Sequence, residues 1–399
     1  TWSVCVGTGR PDSGGRSVGD TEVATRDRNA IPIRVLSIVD ILFEGRQQGF
    51  SDVTGSFVSV VTALLLVVGA AAQGATDAEM YEHACAACHG MDGKGRSYEE
   101  VGFATPLPDF SDCEFASREP DPDWYAVIHE GGPIRAFDRM MPAFGDALSS
   151  DEINQILAHV RTFCSDNSWP RGEFNLPRPL YTGKAFPEDE AVFTLAASET
   201  STIFEALYEK RFGPRSMWEV SVPLISRDSV TGSGTDSGIG DVVVGLKHSF
   251  YHNLESGHIF SAGIEAQLPT GDEDKGMGKG VVFLEPFVVY GKLLPSNAFL
   301  QLHAFGEFAT GDSPAQDELA FRATIGKTWT TGGPFGRAWS PMLEALVAHQ
   351  LGTGGNTNFD LVPQVQVSLN QRQHILLNAG VRIPTNNTSG RDPVYTVYL

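Results

Sequence analysis

The sequence predicts a small all-α domain followed by an antiparallel transmembrane β-barrel of about twelve strands, on three observations. Residues 76–164 contain two helical segments on either side of a cysteine motif. From residue 191 to residue 399, apolar and polar residues alternate with the period of two that is typical of strands. The connections between these strands are alternately short and long, as they are in membrane barrels.

The composition supports this division and excludes one class of partner. The chain has 399 residues, which is enough for two or three domains. Its 43 glycines favour turns and strands over a helical bundle. The 29 Lys and Arg residues against 49 Asp and Glu residues give a formal net charge of −20. A nucleic-acid-binding protein needs a basic face to displace counterions from phosphate, so no nucleic-acid partner is expected.

Residues 1–75 are interpreted as an N-terminal extension that ends in a secretory signal. Residues 1–55 show no sustained period, whereas residues 57–72 form an uncharged apolar run. This run is shorter than the roughly 20 residues that a transmembrane helix needs. Ala70 and Ala72 occupy the Ala-x-Ala positions of a cleavage site. The alternative is an N-terminal membrane anchor, and both interpretations take the chain out of the cytoplasm.

The segment Cys85-Ala86-Ala87-Cys88-His89 has the C-x-x-C-H spacing of c-type haem attachment. Two thiols at this separation can add to the two vinyl groups of one porphyrin, and the adjacent histidine can then bind the iron. A redox pair or half of a zinc site is the alternative. The sequence has no second C-x-x-C to complete a zinc site, and the motif follows an export signal. We therefore predict one covalent haem c.

Helical segments lie before and after this motif. The first covers residues 76–84 and begins with Thr76, which suits an N-cap. The second begins after Ser149 or Ser150. It is amphipathic, because its apolar residues recur at helical spacing. These are Ile153, Ile156, Leu157 and Val160.

With these helices, the motif and a later Met-Pro-Ala-Phe-Gly segment, residues 76–164 resemble a class I cytochrome c. The resemblance implies a small all-α domain around the haem, with His89 and Met141 as the axial ligands of the iron. Methionine is the soft ligand that raises the potential of an electron-transfer haem. The neighbouring Met140 is expected to point away. His83 and His129 stay open as rival ligands.

Two further cysteines are predicted to form a disulfide. Removal of the signal takes away Cys5 and leaves an even set of four cysteines in an oxidising compartment. Cys113 and Cys164 have no histidine at a metal-like spacing. A bridge between them would stabilise the fold by about 4 kcal/mol on the chain-entropy account. Two free buried thiols are the alternative, which an oxidising compartment disfavours.

Residues 165–190 are rich in proline and have no period, so we expect an extended linker. The barrel follows over residues 191–399. A soluble β-sandwich would show the same alternation of residues, but the alternating connection lengths favour an outer-membrane barrel. The sequence stops within the last strand, which leaves a truncated barrel open. Polar side chains are expected to face the lumen, including Glu219, Glu265, Gln301, His303 and Gln366.

Residues 238–272 resemble outer-membrane barrels of the phenol-degradation channel type. The whole arrangement is similar to a cytochrome–porin fusion, the architecture of outer-membrane iron oxidases. This resemblance implies the outer membrane of a Gram-negative-type bacterium as the location. The cytochrome domain would face the periplasm or the barrel lumen.

Two classes of function follow from this resemblance. The first is an electron carrier that passes electrons between a periplasmic redox protein and an extracellular donor or acceptor. The second is an outer-membrane channel for small organic solutes with an attached periplasmic cytochrome. A haem enzyme is disfavoured, because iron with His and Met ligands has no open position. An iron-oxidase-like role stays open.

Overall fold

The computed structural model describes residues 76–103, 105–230, 232–313 and 315–399. The predicted extension and secretory signal at residues 1–75 lie outside these described residues. The described residues form one compact unit, in which a helical domain precedes a large antiparallel sheet. Among the described helices, none has the length and apolar character needed to cross a membrane.

The helical domain begins each of its two main helices with a capping box. In these boxes Thr76 pairs with Glu79, and Ser149 pairs with Glu152. The second helix therefore starts from the first of its two predicted caps. The α-helices of the described domain are α1 (Asp77–Ala84), α2 (Ala86–His89), α3 (Tyr98–Val101), α4 (Cys113–Ala116), α5 (Asp121–Glu130) and α6 (Ser150–Arg161). Short 3₁₀ turns lie between α5 and α6 at Gly132–Arg135, after α6 at Gly172–Phe174, and between strands of the sheet at Glu273–Lys275 and Pro295–Asn297.

The core of the helical domain is apolar. The predicted face of α6 is buried, and Ile153 and Ile156 on it are both 0% exposed. They pack with Tyr81 of α1 and with Phe110 in one cluster. The only polar atom of the Tyr81 side chain is satisfied, because its hydroxyl donates a hydrogen bond to the Gly90 carbonyl over 2.8 Å. Burial of apolar side chains thus holds α1 against α6.

The sheet contains fourteen strands among the described residues, and twelve of them form the ring of the barrel. The strands are β1 (Glu190–Ala197), β2 (Ser201–Phe212), β3 (Ser216–Asp228), β4 (Thr235–Ile239), β5 (Val242–Asn253), β6 (His258–Leu268), β7 (Phe283–Leu294), β8 (Ala298–Ala309), β9 (Glu318–Lys327), β10 (Trp329–Thr331), β11 (Arg337–Gln350), β12 (Thr357–Ser368), β13 (Leu376–Pro384) and β14 (Val394–Tyr398).

Pairing of the first and last strands closes the sheet into a barrel. Residues 194–197 of β1 pair with residues 395–398 of β14, and every other neighbouring pair is also antiparallel. The short β4 adds only to β3, and β10 adds only to β11. The predicted antiparallel barrel of about twelve strands is therefore confirmed.

The two ends of the barrel differ in their connections. Turns at residues 213–215, 254–257 and 295–297 define what we call the short-turn end. Loops at residues 269–282 and 310–317 define the opposite, long-loop end. The expected alternation fails at the first hairpin, because only residues 198–200 join β1 to β2 at the long-loop end. A hydrogen bond from the Ser198 amide to the Ser201 carbonyl closes this tight turn over 2.8 Å.

Side chains on the two faces of the barrel have opposite character. Outward residues such as Leu246 and Ile325 are 54% and 56% exposed. The inward Gln301 and His303 are only 1% and 6% exposed. Apolar side chains outside and polar side chains inside are the distribution of a lipid-facing barrel.

The residues that were expected to form an extended linker enter the barrel. Residues 175–188, which we call the luminal segment, contact inward side chains on β5, β8, β11 and β12. Glu188 at the end of the segment is 2% exposed. The linker therefore fills part of the lumen as well as joining the two domains.

The helical domain contacts the short-turn end of the barrel. The Arg135 guanidinium donates to the Phe335 carbonyl over 2.8 Å. The His374 ring and the Glu119 carboxylate lie 2.9 Å apart. These contacts join the turn after α5 and the segment between α4 and α5 to turns of the barrel.

Candidate haem site

The cysteine motif lies where α1 ends and α2 begins. Cys85 caps α1, and its amide donates to the Tyr81 carbonyl over 2.8 Å. The His89 amide in turn donates to the Cys85 carbonyl over 2.9 Å. Cys85 and Cys88 are free cysteines, because neither takes part in the disulfide of the described residues. Both are therefore present as the thiols that thioether attachment requires.

The imidazole of His89 is held against the apolar core. Its ring stacks on Phe110 with the centroids 4.8 Å apart. Burial lowers the pKa of His89, which favours the neutral imidazole that binds metals. Its Nδ1 atom is buried and has no hydrogen-bond partner in the described part of the chain. Native proteins rarely leave such an atom unpaired. The site of this ring therefore fits a bound group that is not part of the protein.

The methionine loop brings Met141 to the same core. Met141 packs against the cluster that contains Phe110, as Cys85 does, whereas Met140 is 49% exposed. The loop is fixed by the Gly132 amide, which donates to the Met141 carbonyl over 3.0 Å. At Gly131, which has φ of 80°, an added Cβ would lie only 2.9 Å from that carbonyl oxygen. Glycine is therefore required there.

The two rival histidines have other surroundings. His83 is exposed on α1. The Nδ1 atom of His129 lies 2.9 Å from the Glu130 carboxylate, and its ring packs against Tyr125 and Phe335. The site residues that the structure brings to one core are therefore Cys85, His89 and Met141, with Cys88 on the same short helix.

A disulfide joins Cys113 to Cys164, which is the predicted pairing. Cys113 begins α4, and Cys164 follows α6. The bridge therefore ties the middle region of the helical domain to its last helix, next to the apolar core.

The helical domain is strongly acidic. Residues 76–164 contain seventeen Asp and Glu against six Lys and Arg, a formal charge of −11. Charge complementarity steers partners to such a surface and speeds their association. The surface of this domain therefore favours contact with basic surfaces.

A cluster of three carboxylates in the lumen was not predicted from the sequence. Ligand atoms of Glu188, Glu190 and Glu209 lie within 4.8 Å of one another. The Arg178 guanidinium contacts all three carboxylates, and Lys184 contacts Glu188. Because these two cations already bind the carboxylates, the cluster gives no reason to infer a metal ion. The sequence gives little indication of this cluster, because its charged residues come from the predicted linker and from two different strands and follow no common spacing.

A cavity of about 330 Å³ lies on the long-loop side of the luminal segment. Its walls are partly apolar, with Ile203, Val243 and Phe283. They are also acidic, with the carboxylates Glu205, Asp241, Glu265, Glu285 and Glu307. The inward position predicted for Glu265 thus agrees with the structure.

Two family models match separate parts of the chain. Residues 72–160 match cytochrome c oxidase, cbb3-type, subunit III. Residues 208–395 match the putative MetA-pathway of phenol degradation. The chain carries a c-type cytochrome domain and a phenol-degradation-type barrel. The cytochrome match covers the cysteine motif and Met141, and the barrel match begins within β2 and ends within β14.

The solved structures that resemble part of this chain include two porins and an outer-membrane channel. The NanC porin is 7% identical with a TM-score of 0.38 and covers 52% of this chain and 98% of its own. The KdgM porin is 11% identical with a TM-score of 0.34, covering 52% and 95%. An outer-membrane channel from Pseudomonas putida F1 is 13% identical with a TM-score of 0.36, covering 56% and 98%. No curated protein matches the chain. The barrel assignment therefore depends on the strand pairing of this chain.

Proposed function

We propose that the protein is a haem c electron carrier that its barrel anchors in the outer membrane. It passes electrons between a periplasmic redox protein and an extracellular donor or acceptor. The observation that carries the proposal is that Cys85, His89 and Met141 meet at one apolar core in a domain fused to a barrel.

The chain offers a complete set of residues for the haem. Cys85 and Cys88 would hold it by thioether bonds, and His89 and Met141 would occupy the two axial positions of the iron. A bound haem supplies one-electron chemistry at its iron. The surrounding cluster, with Phe110 and Ile156, excludes water from the site. Because His89 and Met141 would both bind the iron, the site suits electron transfer better than catalysis.

The position of the helical domain indicates the side on which it works. Short turns of outer-membrane barrels face the periplasm, and long loops face outside. The helical domain contacts the short-turn end through Arg135 and His374. We therefore place the cytochrome on the periplasmic side, where its acidic surface would meet a basic redox partner.

A channel for small organic solutes is the second candidate, and the phenol-degradation match of the barrel favours it. The luminal segment argues against it, because Thr182 and Lys184 lie in the lumen and are 2% and 5% exposed. We therefore favour the electron carrier.

Mass spectrometry of the mature protein tests the haem directly. The denatured chain should keep the added mass of one haem, since thioether bonds survive unfolding. The Cys85→Ala, Cys88→Ala double variant should lose it completely. The matched control is Cys113→Ser with Cys164→Ser, which removes two cysteines and should keep the haem. Haem that acidic solvent extracts from the wild type would refute covalent attachment.

The direction of electron exchange needs a reconstituted membrane. In liposomes with the long-loop end outside, the haem should react with a membrane-impermeant redox reagent added to the outside. If it responds only to reagent at the short-turn end while solutes pass freely, the channel interpretation is the better one.

A further inference from the structure

The contact between the helical domain and the barrel lies beside the loop that carries Met141. Two turns at the short-turn end make it, residues 332–336 between β10 and β11 and residues 369–375 between β12 and β13. We propose that these two barrel turns position Met141, so that its bond to the haem iron opens more often when their contacts are lost. The proposal rests on the haem site proposed above, and it assigns Phe335 and Arg372 as positioning residues.

The loop that carries Met141 is tied together by its own backbone. The Phe137 amide donates to the Gly132 carbonyl over 2.9 Å, and the Gly132 amide donates to the Met141 carbonyl over 3.0 Å. The Met141 amide donates to the Asp138 carbonyl over 3.3 Å. An added Cβ at Gly132 would clash with that same carbonyl group of Asp138. A shift of residues 135–137 would therefore reach the backbone of Met141.

The first barrel turn contacts this loop and the helix that precedes it. The Arg135 guanidinium donates to the Phe335 carbonyl and to the Asp123 carboxylate of α5, each over 2.8 Å. Arg135 is only 6% exposed. The ring of Phe335 packs against the rings of Tyr125 and His129 on α5, with centroids 5.9 and 5.5 Å apart. One residue of the barrel therefore contacts both the start of the loop and α5.

Helix α5 in turn holds the chain that follows the methionine. The Phe144 amide donates to the Ile128 carbonyl over 3.0 Å, and the Gly145 amide donates to the His129 carbonyl over 2.9 Å. An added Cβ at Gly145 would lie 2.5 Å from the His129 ring. The imidazole of His129, a rival iron ligand on sequence grounds, thus contacts both Gly145 and the ring of Phe335.

The second barrel turn contacts the loop at a strained residue. Ala136 has φ of 53°, a left-handed conformation that a residue with a Cβ keeps only where its surroundings fix it. The Arg372 guanidinium donates to the Ala136 carbonyl over 3.2 Å and lies 4.7 Å from the centroid of the Phe137 ring. The Gln373 side chain donates to the Gly336 carbonyl over 3.1 Å. This last bond joins the two barrel turns, so they contact the loop as one surface.

Groups that surround a metal ligand without touching the metal orient it, and their loss weakens metal binding by about 10–100-fold. The barrel turns are one step further from the iron, because they act through residues 135–137 and through α5. We therefore expect a smaller effect from each contact. Its direction is fixed, since a methionine that is held less firmly leaves the iron more often.

Imidazole binding to the oxidised full-length protein in detergent tests the proposal, because imidazole can bind the iron only where Met141 has left it. Phe335→Ala and Arg372→Ala should each bind imidazole about five-fold faster than the wild type, and the double variant more than about ten-fold faster. The haem potential should fall in the same order, because the methionine ligand raises it. The matched controls Phe250→Ala and Arg337→Ala remove an exposed phenylalanine and an exposed arginine near the same end, and both should keep the wild-type rate and potential.

Gel mobility before and after heating shows whether each variant barrel is folded. Should an alanine variant fail to fold, Phe335→Leu and Arg372→Gln take its place, since they keep bulk or length but lose the ring or the charge. Wild-type imidazole rates in folded variants of Phe335 and Arg372 would overturn this proposal alone, provided that the wild type has the methionine–iron band. A wild type without that band would overturn the ligand assignment and the proposal together. Equal acceleration in the controls would also overturn it, because the barrel would then act without these contacts.

Discussion

The interior of the helical domain and the interior of the barrel are built on opposite plans. In the helical domain, Ile153 and Ile156 point inward and are 0% exposed. In the barrel, Ile264 points outward and is 45% exposed, whereas Glu344 points inward and is 0% exposed. The comparison teaches that the surroundings decide which face of an amphipathic element becomes the interior. Helices in water bury their apolar face, whereas strands in lipid expose it.

The two interiors therefore gain stability from different sources. Apolar burial holds the helical domain together at about 25 cal/mol per Å². The lumen depends on hydrogen bonds, such as those that Glu344 accepts from Thr182 and Gln364. A buried polar atom that loses its partner costs about 1–3 kcal/mol. Substitutions in the helical core should therefore act through lost apolar burial, and substitutions in the lumen should act through lost hydrogen bonds.

The largest effect is expected at Met141, the proposed iron ligand in the apolar interior. Met141→Ala should abolish the weak charge-transfer band of a Met-ligated haem in the oxidised protein. Met140→Ala is the matched control and should leave the band, because Met140 is half exposed while Met141 packs in the core. Absorption spectra of the two variants decide this. Equal loss in both would show that the methionine loop is assigned wrongly.

A pair of identical substitutions compares the two interiors directly. Ile156→Ala should destabilise the helical domain by about 2–5 kcal/mol, because it leaves a cavity in a packed core. Ile264→Ala in the barrel should have a smaller effect, since fluid lipid fills the space on the outer face. Denaturant unfolding followed by haem absorbance, and gel mobility of the heated barrel, measure the two losses. Similar losses at both sites would contradict the lipid-facing assignment of β6.

Removal of a luminal carboxylate should have an intermediate effect. Glu344→Ala leaves the Thr182 amide and the Gln364 amide without their acceptor. We expect a loss of about 1–3 kcal/mol in barrel stability. Glu255→Ala, in an exposed turn, is the matched control and should be neutral. Barrel thermal unfolding in detergent provides the measurement, and an unchanged midpoint for Glu344→Ala would refute the network.

The smallest expected effect depends on pH and lies between the two regions. The hydrogen bond to Glu119 raises the pKa of His374, with a further contribution from Asp123 and opposition from Arg372. The stabilising contact should therefore be complete below the ordinary histidine pKa of about 6.5, and it should weaken as pH rises through the raised value. Both side chains are partly exposed, so its contribution should stay below about 1 kcal/mol.

Hydrogen exchange around α4 measures this contact. Protection in the wild type should fall as the pH rises, after correction for intrinsic exchange. His374→Gln should show weaker protection with no such dependence. The same pH dependence in both proteins would exclude His374 as its origin.

The sequence predicted those parts that follow a local rule. The helix cap at Ser149 or Ser150, the face of α6 and the alternating strands of the barrel are periodic or depend on neighbouring residues. The disulfide between Cys113 and Cys164 followed from counting cysteines in an oxidising compartment. These features need little knowledge of the remote chain.

The luminal segment could not be predicted in the same way. Its prolines and its irregular apolar residues resemble a linker, and its partners lie up to 220 residues away in the chain, as in the bond from the Tyr398 hydroxyl to the Arg178 carbonyl. One signal was present in β7, where Phe287 and Val289 face inward although Val288 faces outward. A strand that is apolar on both faces is covered on both faces. This pattern could have indicated that something fills the lumen.

Arg178 bears on the order in which the barrel assembles. Its guanidinium contacts Glu190 on β1 and Glu209 on β2, while its carbonyl accepts a hydrogen bond from Tyr398 on β14 over 2.6 Å. β14 has only 5 residues, so the seam that it forms with β1 is short. Arg178, which contacts both β1 and β14 across this seam, precedes every strand in the chain. In a newly made chain Arg178 is therefore synthesised before β1 and β14, the two strands whose pairing it stabilises. The final strand can then bind to contacts that Arg178 already offers.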